Sequence, residues 1–155
     1  MGYTITGIPM ENLIPLKGQT NDQLKEQGVE RIIASNKPGF PCRITLEDAE
    51  PGEPMLLMNY VSHAVTSPYR NAYAIYMREG ATAEARFKNQ LAPALMGRPI
   101  SLRMFDHAGQ LVGADLDIDG TLDQKIERAF DRSEVSYLHA HNAAHGCFAA
   151  EILRA

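Results

Sequence analysis

Hydrophobic and polar positions alternate most regularly in the last third of the chain. Residues 100–105 alternate in this way, a turn-forming segment at 106–109 follows, and residues 114–118 alternate again. Alternation with a period of two is typical of strands that have one buried face. The pattern therefore predicts a β-hairpin in which Leu116 and Ile118 face the interior and the aspartates between them face solvent.

The spacing then changes to that of an amphipathic helix. Apolar residues recur at helical intervals over residues 122–132, and Thr121 precedes them as a candidate N-cap. Alternation returns over residues 135–141, a turn is predicted at 142–146, and residues 147–153 form a returning strand. The chain is therefore expected to end in a second hairpin.

The first two thirds of the chain are less regular. All nine prolines lie before residue 100, and proline interrupts both helices and strand ladders. Short strands are predicted over residues 3–8, 29–34, 55–61 and 72–77, and helices over residues 20–26 and 82–90.

These elements predict the fold class and the domain organisation. Strands outnumber helices and hairpins connect neighbouring strands, so we expect an α+β fold with a mainly antiparallel sheet. Two or three short helices are expected to form a single layer on that sheet. The sequence contains no repeat and no linker-like segment, so residues 1–155 are predicted to form a single domain.

Composition and charge narrow the classes of partner. The 155 residues are 45% hydrophobic and carry 15 basic and 19 acidic side chains, for a net charge of −4. An acidic protein lacks the broad basic face that nucleic acid or an anionic membrane requires, so we expect neither as a partner. No apolar run approaches the ~20 residues that span a bilayer, and the first residues do not resemble a secretion signal, so a cytoplasmic location is expected.

Charge is unevenly distributed along the chain. Residues 70–103 carry six basic and two acidic side chains, whereas residues 105–134 carry three basic and eight acidic ones. Two interpretations are open. The two stretches lie on faces that are solvated or that complement each other across the fold, or the basic stretch contributes to a groove for a small anionic ligand.

The densest group of chemically active side chains lies in the last hairpin. Four of them, His139, His141, His145 and Cys147, fall within nine residues. His139 and His141 share one face of a strand, and a tight turn brings Cys147 back towards them. With Cys42 or a water as a further ligand, this set suits a zinc-like transition metal. The alternative is that the histidines only form hydrogen bonds with the backbone in a closely packed core.

Cys147 is also a candidate nucleophile. A cysteine attacks as its thiolate, so an adjacent imidazole from His141 or His145 would act as the base. Two cysteines are too few for a disulfide framework, which favours free thiols in a reducing compartment. The alternative is that Cys147 is a buried and unreactive side chain in a strand.

A second group of polar side chains lies at residues 67–70, Ser-Pro-Tyr-Arg. The Tyr69 hydroxyl and the Arg70 guanidinium of such a turn suit a carboxylate or phosphate ligand. Asn142 adds an amide to the candidate ligand-binding residues, although asparagine is also common wherever a strand reverses direction.

Several short motifs follow one another in a recognisable order along the chain. They are Pro41-Cys42-Arg43, Asp48-Ala49-Glu50-Pro51-Gly52-Glu53, Leu56-Leu57 with Tyr60, Thr66-Ser67-Pro68-Tyr69-Arg70, Arg103 with Phe105-Asp106, and His141-Asn142 with Gly146-Cys147-Phe148. With this series the chain resembles the bacterial domain of unknown function 1203 family over nearly its whole length. The resemblance implies that six residues belong to a shared pattern: Cys42, Tyr69, Arg70, Asn142, Gly146 and Cys147. It implies no particular reaction, substrate or cofactor.

The leading hypothesis is a small-ligand or metal site that the C-terminal hairpin forms with Cys42 and the loop at residues 67–70. One alternative is a thiol enzyme in which Cys147 and His141 are the catalytic residues. Another is a noncatalytic homodimeric binding or structural module, in which the motif residues fix turns and packing. The sequence leaves open whether the protein is an enzyme.

Overall fold

Two β-sheets dominate the computed structural model, which describes residues 2–155. The strands are β1 (Tyr3–Thr6), β2 (Glu30–Ile33), β3 (Pro54–His63), β4 (Asn71–Arg78), β5 (Arg86–Lys88), β6 (Ile100–Phe105), β7 (Leu111–Asp117), β8 (Tyr137–Asn142) and β9 (Phe148–Arg154). The helices are α1 (Asn21–Glu26) and α2 (Leu122–Phe130), with single turns of 3-10 helix at Met10–Asn12, Ile14–Leu16 and Pro93–Leu95.

The strands form a six-stranded and a three-stranded sheet. The larger sheet has the order β5-β1-β9-β8-β6-β7, and the smaller one has the order β2-β3-β4. All neighbouring strands pair antiparallel, and β6–β7 and β8–β9 are the two predicted hairpins. These features confirm the α+β fold class with mainly antiparallel sheets and short helices.

The larger sheet is covered on both faces, as strand β8 illustrates. Successive side chains of a strand point to opposite faces, so Leu138 and Ala140 join the hydrophobic core beneath α2. Tyr137 and His139 point the other way and contact His63 of the smaller sheet. Helix α2 therefore covers one face and the three-stranded sheet covers the other, while α1 packs with the smaller sheet through Leu24.

The smaller sheet has its own hydrophobic cluster. Met55, Leu56, Ile75 and Met77 from β3 and β4 are buried there. Phe148 at the start of β9 belongs to the same cluster, so the larger sheet contributes directly to the core of the smaller one.

The helix predicted at residues 82–90 is wrong. Residues 86–88 form β5, which pairs with β1 through contacts such as Thr4 with Lys88. The helix was predicted because residues 82–90 contain good helix formers and no proline. Pairing with β1, about 80 residues away in sequence, overrides this local preference.

The predicted orientation of β7 is also wrong. The register pairs Asp117 with Ile100, whose side chain faces the core beneath α2, so Asp117 lies on that same face. Asp117 is buried and accepts a hydrogen bond from the Thr121 amide, while Leu116 and Ile118 are exposed. The ion pair with Lys125 of α2 compensates the buried charge.

The described part of the chain contains no helix with the length and hydropathy that crossing a bilayer requires.

Candidate functional site

A cleft of about 660 Å³ lies between the smaller sheet and the turn that connects β8 to β9. Its walls come from the loop at 38–43, the middle of β3 and β4, Arg98 with Pro99, and the turn at 142–147. Apolar and aromatic side chains such as Leu57, Tyr73 and Tyr76 supply much of the lining.

Cys147 lies at the wall of this cleft with its side chain partly exposed. Two side chains of residues 2–155 donate hydrogen bonds to its sulfur. The Arg43 Nη2 atom lies 3.1 Å from Sγ, and the Asn142 Nδ2 atom lies 3.4 Å from Sγ. The sulfur therefore faces a positive charge and an amide dipole, both of which stabilise negative charge on it.

Arg43 is a buried cation with 2% of its surface exposed. Its Nε donates to the Phe148 carbonyl oxygen at 2.8 Å and its Nη1 to the Pro41 carbonyl oxygen at 2.7 Å. No carboxylate within residues 2–155 forms an ion pair with it. Burial lowers the pKa of the Arg43 guanidinium, and the nearby sulfurs of Cys147 and Cys42 oppose that shift.

The backbone around Arg43 is held between the two sheets. The Arg43 amide donates to the Tyr76 carbonyl oxygen of β4 at 3.0 Å, and the Ile8 amide donates to the Arg43 carbonyl oxygen at 2.9 Å. Gly7 permits this close approach, since a Cβ atom there would lie 1.9 Å from the Ile44 carbonyl oxygen. Residues distant in sequence therefore fix the position of the guanidinium.

The turn between β8 and β9 positions Asn142 and Cys147 opposite each other. The Asn142 amide donates to the Cys147 carbonyl oxygen at 3.0 Å, and the Gly146 amide donates to the Asn142 carbonyl oxygen at 2.7 Å. Gly146 has a φ of 79°, a conformation that glycine adopts without strain. The turn and returning strand predicted from the sequence are confirmed, and they bring Cys147 to the cleft.

His141 supports the turn rather than the sulfur. Its buried ring forms a hydrogen bond between Nδ1 and the Gly146 carbonyl oxygen at 3.0 Å, so the neutral ring carries its proton on Nδ1. Burial lowers the pKa of His141 to about 4, and the charges of Arg103 and Arg43 act in the same direction. The ring packs against Tyr73, and its hydrogen bond goes to the backbone and not to Cys147.

The candidate metal ligands lie in different surroundings. His139 is buried, and its Nε2 lies 3.2 Å from Oε2 of Glu151; burial lowers the pKa of His139, and Glu151 opposes that shift. His145 is exposed on the turn, at the rim of the cleft. The buried Cys42 sulfur accepts backbone hydrogen bonds, among them one from the Arg78 amide at 3.2 Å. Over residues 2–155, no three His, Cys, Asp or Glu side chains form a group suited to a metal ion.

The loop at residues 67–70 does not line the cleft. The Ser67 hydroxyl donates to the Gly109 carbonyl oxygen at 2.7 Å, which holds this loop against the turn after β6. The cleft lies at the other end of β6, next to Pro99. Tyr69 and Arg70 are exposed on this loop and do not line the cleft that Asn142 and Cys147 line.

The candidate site residues predicted from the sequence did not include Arg43 or Tyr73, and Arg98 entered only as one of the six basic residues at 70–103. Arg98 lines the cleft and donates from Nη1 to the Asp48 Oδ2 atom at 2.9 Å. The sequence signal for Arg43 is its place in the motif Pro41-Cys42-Arg43, next to a candidate metal ligand. Nothing in the local pattern indicates that Tyr73 contributes to the same cleft, and the basic stretch does not distinguish Arg98 from its other five basic residues.

The fold and the site together define an α+β protein with a cleft between two sheets and a cysteine–arginine pair at its wall. The chain belongs to the family described as protein of unknown function (DUF1203), which matches residues 39–154. The match includes Arg43, Asn142 and Cys147. No curated protein and no solved structure matches the chain.

Proposed function

We propose that the protein binds a small organic molecule in the cleft between the smaller sheet and the β8–β9 turn. The observation that carries this proposal is the cleft itself, whose volume of about 660 Å³ is that of a pocket for a small ligand. Its mainly apolar walls, with a few convergent polar groups at Cys147, Asn142 and Arg98, are the usual composition of such a pocket.

The lining favours a ligand with a flat apolar body and a hydrogen-bond acceptor or carboxylate. The rings of Tyr73 and Tyr76 offer faces for the apolar part. Within residues 2–155, Arg98 pairs with Asp48 through Nη1 and Nη2 and donates to the Ala94 carbonyl oxygen, which leaves Nε and one Nη2 hydrogen for a carboxylate or another acceptor. This assignment develops the interpretation that the basic stretch of the sequence contributes to a groove for a small anion.

The surroundings of the candidate metal ligands favour an organic molecule over a transition metal as the occupant of the cleft. The Cys147 sulfur faces the Arg43 guanidinium at 3.1 Å, and that positive charge repels a cation which approaches the sulfur. The predicted ligands His139 and Cys42 have partners of their own, Glu151 and backbone amides.

Ligand-observed NMR with benzoate as the probe tests this proposal. We expect saturable binding to the wild-type protein. The variant Ala74→Trp, at an exposed position of β4 that lines the cleft, is expected to weaken binding by roughly tenfold or more, because the indole occupies the space of the ligand.

The matched control is Ala72→Trp, since Ala72 is also exposed on β4 but does not line the cleft. Its affinity for benzoate should equal that of the wild type. No saturable binding, or equal binding by both variants, would contradict the proposal and favour a noncatalytic structural module.

A further inference from the structure

We propose that Cys147 is a nucleophile that exchanges with small anionic disulfides in the cleft, and that Arg43 is the counterion of its thiolate. This inference rests on the proposed function, because the disulfide must enter the same cleft to reach the sulfur. It assigns a substrate class and a chemical step to the site.

The first argument concerns the charge of Arg43. A guanidinium remains protonated in proteins, and a buried cation requires a compensating negative charge. The other two hydrogen bonds of Arg43 go to neutral carbonyl oxygens, at Phe148 and Pro41. The Cys147 sulfur is the remaining partner and is a group that can carry negative charge.

The second argument concerns access. Cys147 is partly exposed at the cleft wall, whereas Cys42 has no exposed surface. The Cys42 sulfur accepts backbone hydrogen bonds from Ile44, Thr45 and Arg78 at 3.2 to 3.4 Å. Disulfide exchange requires an accessible sulfur, so the two cysteines of one chain should differ strongly in reactivity.

The third argument concerns the leaving group. The groups that contact the Cys147 sulfur are a guanidinium and an amide, and His141 uses its Nδ1 proton on the Gly146 carbonyl oxygen. An amine or alkoxide would need a proton donor in order to depart, whereas a thiolate departs unaided. His145 lies at the rim of the cleft but forms no hydrogen bond with the Cys147 sulfur, so the site suits a disulfide better than an amide or an ester.

The step balances without a further reactant. The Cys147 thiolate attacks one sulfur of the disulfide, the new bond joins that sulfur to Sγ, and the original sulfur–sulfur bond breaks. The second half of the disulfide leaves as a thiolate, which takes a proton from water according to its own basicity. Cys147 is oxidised and the departing sulfur is reduced.

The preference for anions follows from the charge of the product. The mixed disulfide has no negative charge on Sγ, so the buried Arg43 loses its counterion. A carboxylate on the attached group replaces that charge, whereas a neutral group does not. Anionic disulfides should therefore form the more stable adduct at Cys147.

Peptide-resolved mass spectrometry of the wild-type chain tests this inference with dithiodiglycolate and hydroxyethyl disulfide. We expect Cys147 to react roughly a hundredfold faster than Cys42 in the folded protein. The second quantity is the ratio of the equilibrium constants for forming the anionic and the neutral adduct at Cys147. This ratio should be roughly tenfold higher in the folded chain than in the urea-unfolded chain. In Arg43→Met, where the variant folds, this preference should disappear.

Equal, slow labelling of the two cysteines in the folded chain would overturn the inference. Equal adduct stability for the two disulfides in the wild type would overturn the role of Arg43 as counterion, and this readout does not depend on any variant folding. If benzoate binds while Cys147 fails to react, this inference fails and the proposed function stands. Equal reaction rates of Cys147 in Ala74→Trp and Ala72→Trp would show that the disulfide does not enter through the cleft. If benzoate also fails to bind, both this inference and the proposed function fail.

Discussion

Arg43 shows how a buried charge is accommodated in this protein at the scale of single residues. Its donors go to the carbonyl oxygens of Pro41 and Phe148 and to the Cys147 sulfur. Hydrogen bonds to neutral oxygens satisfy the donors without neutralising the charge. The pair formed with Cys147 therefore has an energetic role as well as a chemical one.

A double-mutant cycle measures this coupling. Arg43→Met is expected to lower the free energy of unfolding by about 3 kcal/mol, because the Cys147 sulfur and the carbonyl oxygens of Phe148 and Pro41 lose their donor. Cys147→Ala should lower it by about 2 kcal/mol, because the buried guanidinium loses the partner that can carry negative charge. The double variant should be at least ~1 kcal/mol more stable than the sum of the two effects predicts. Urea unfolding provides the measurement, and simple additivity would contradict the coupling.

His141 makes stability depend on pH. Its pKa in the folded protein is about 4, below the ordinary value of 6.5, because the ring is buried. The unfolded chain therefore binds the proton more readily, and the contribution to stability is fully present above about pH 6.5. It falls as the pH decreases towards 4, by about 3 kcal/mol in total.

The variant His141→Asn tests this dependence, since asparagine keeps a donor for the Gly146 carbonyl oxygen but does not titrate. Between about pH 7 and about pH 5, its free energy of unfolding should fall less than that of the wild type. His107→Asn is the control, because His107 is exposed in the β6–β7 turn. Parallel pH profiles for wild type and His141→Asn would show that His141 is not the cause.

At the scale of elements, the end of β1 limits how the loop before the cleft can pack. A methyl group at Gly7 would overlap the Ile44 carbonyl oxygen, whereas one at Gly80 would meet nothing within 4 Å. Neither position has a positive φ, so the comparison isolates steric overlap from backbone strain.

Gly7→Ala is expected to lower the free energy of unfolding by about 3 kcal/mol, because backbone atoms must move to admit the methyl group. Gly80→Ala should remain within roughly 0.5 kcal/mol of the wild type. Reactivity of Cys147 should also fall in Gly7→Ala, since the same segment holds Arg43. A Gly7→Ala protein as stable as Gly80→Ala would contradict the packing described for this loop.

Strands differ in how well the sequence predicts them. The alternation in β8 predicts the strand and places His139 and His141 on one face, as the structure confirms. The segment at 86–88 has a helical preference and forms a strand only because β1 pairs with it. The orientation of β7 was predicted wrongly, because the register with β6 and the partner Lys125 decide which face of β7 is buried.

At the scale of the whole molecule, Phe148 connects the two sheets. It lies on β9 of the larger sheet, belongs to the hydrophobic cluster of the smaller sheet, and contacts the ring of Tyr60 on β3. Its carbonyl oxygen also accepts a hydrogen bond from Arg43. Because of these contacts we expect the two sheets to unfold together, and the single domain over residues 1–155 stays a prediction.

Phe148→Ala should lower the free energy of unfolding by about 3–5 kcal/mol and destabilise both sheets together. Hydrogen exchange of amides in β3 and in β8 reports on the two sheets separately. Equal loss of protection in both is the expected result, whereas loss confined to the smaller sheet would show two independent units.

The homodimer and the cytoplasmic location stay predictions.

The sequence by itself determined the local features of this protein. Period-two alternation, the helical stripe over residues 122–132 and the turn residues at 142–146 are patterns among neighbouring residues. The two hairpins, the helix and the turn were predicted from these patterns. The tertiary structure alone decided the site. Arg43 and Cys147 are 104 positions apart, and their contact depends on how two sheets pack, which no local pattern encodes. It likewise separated Tyr69 and Arg70 from the cleft, because the loop that carries them lies at the other end of β6.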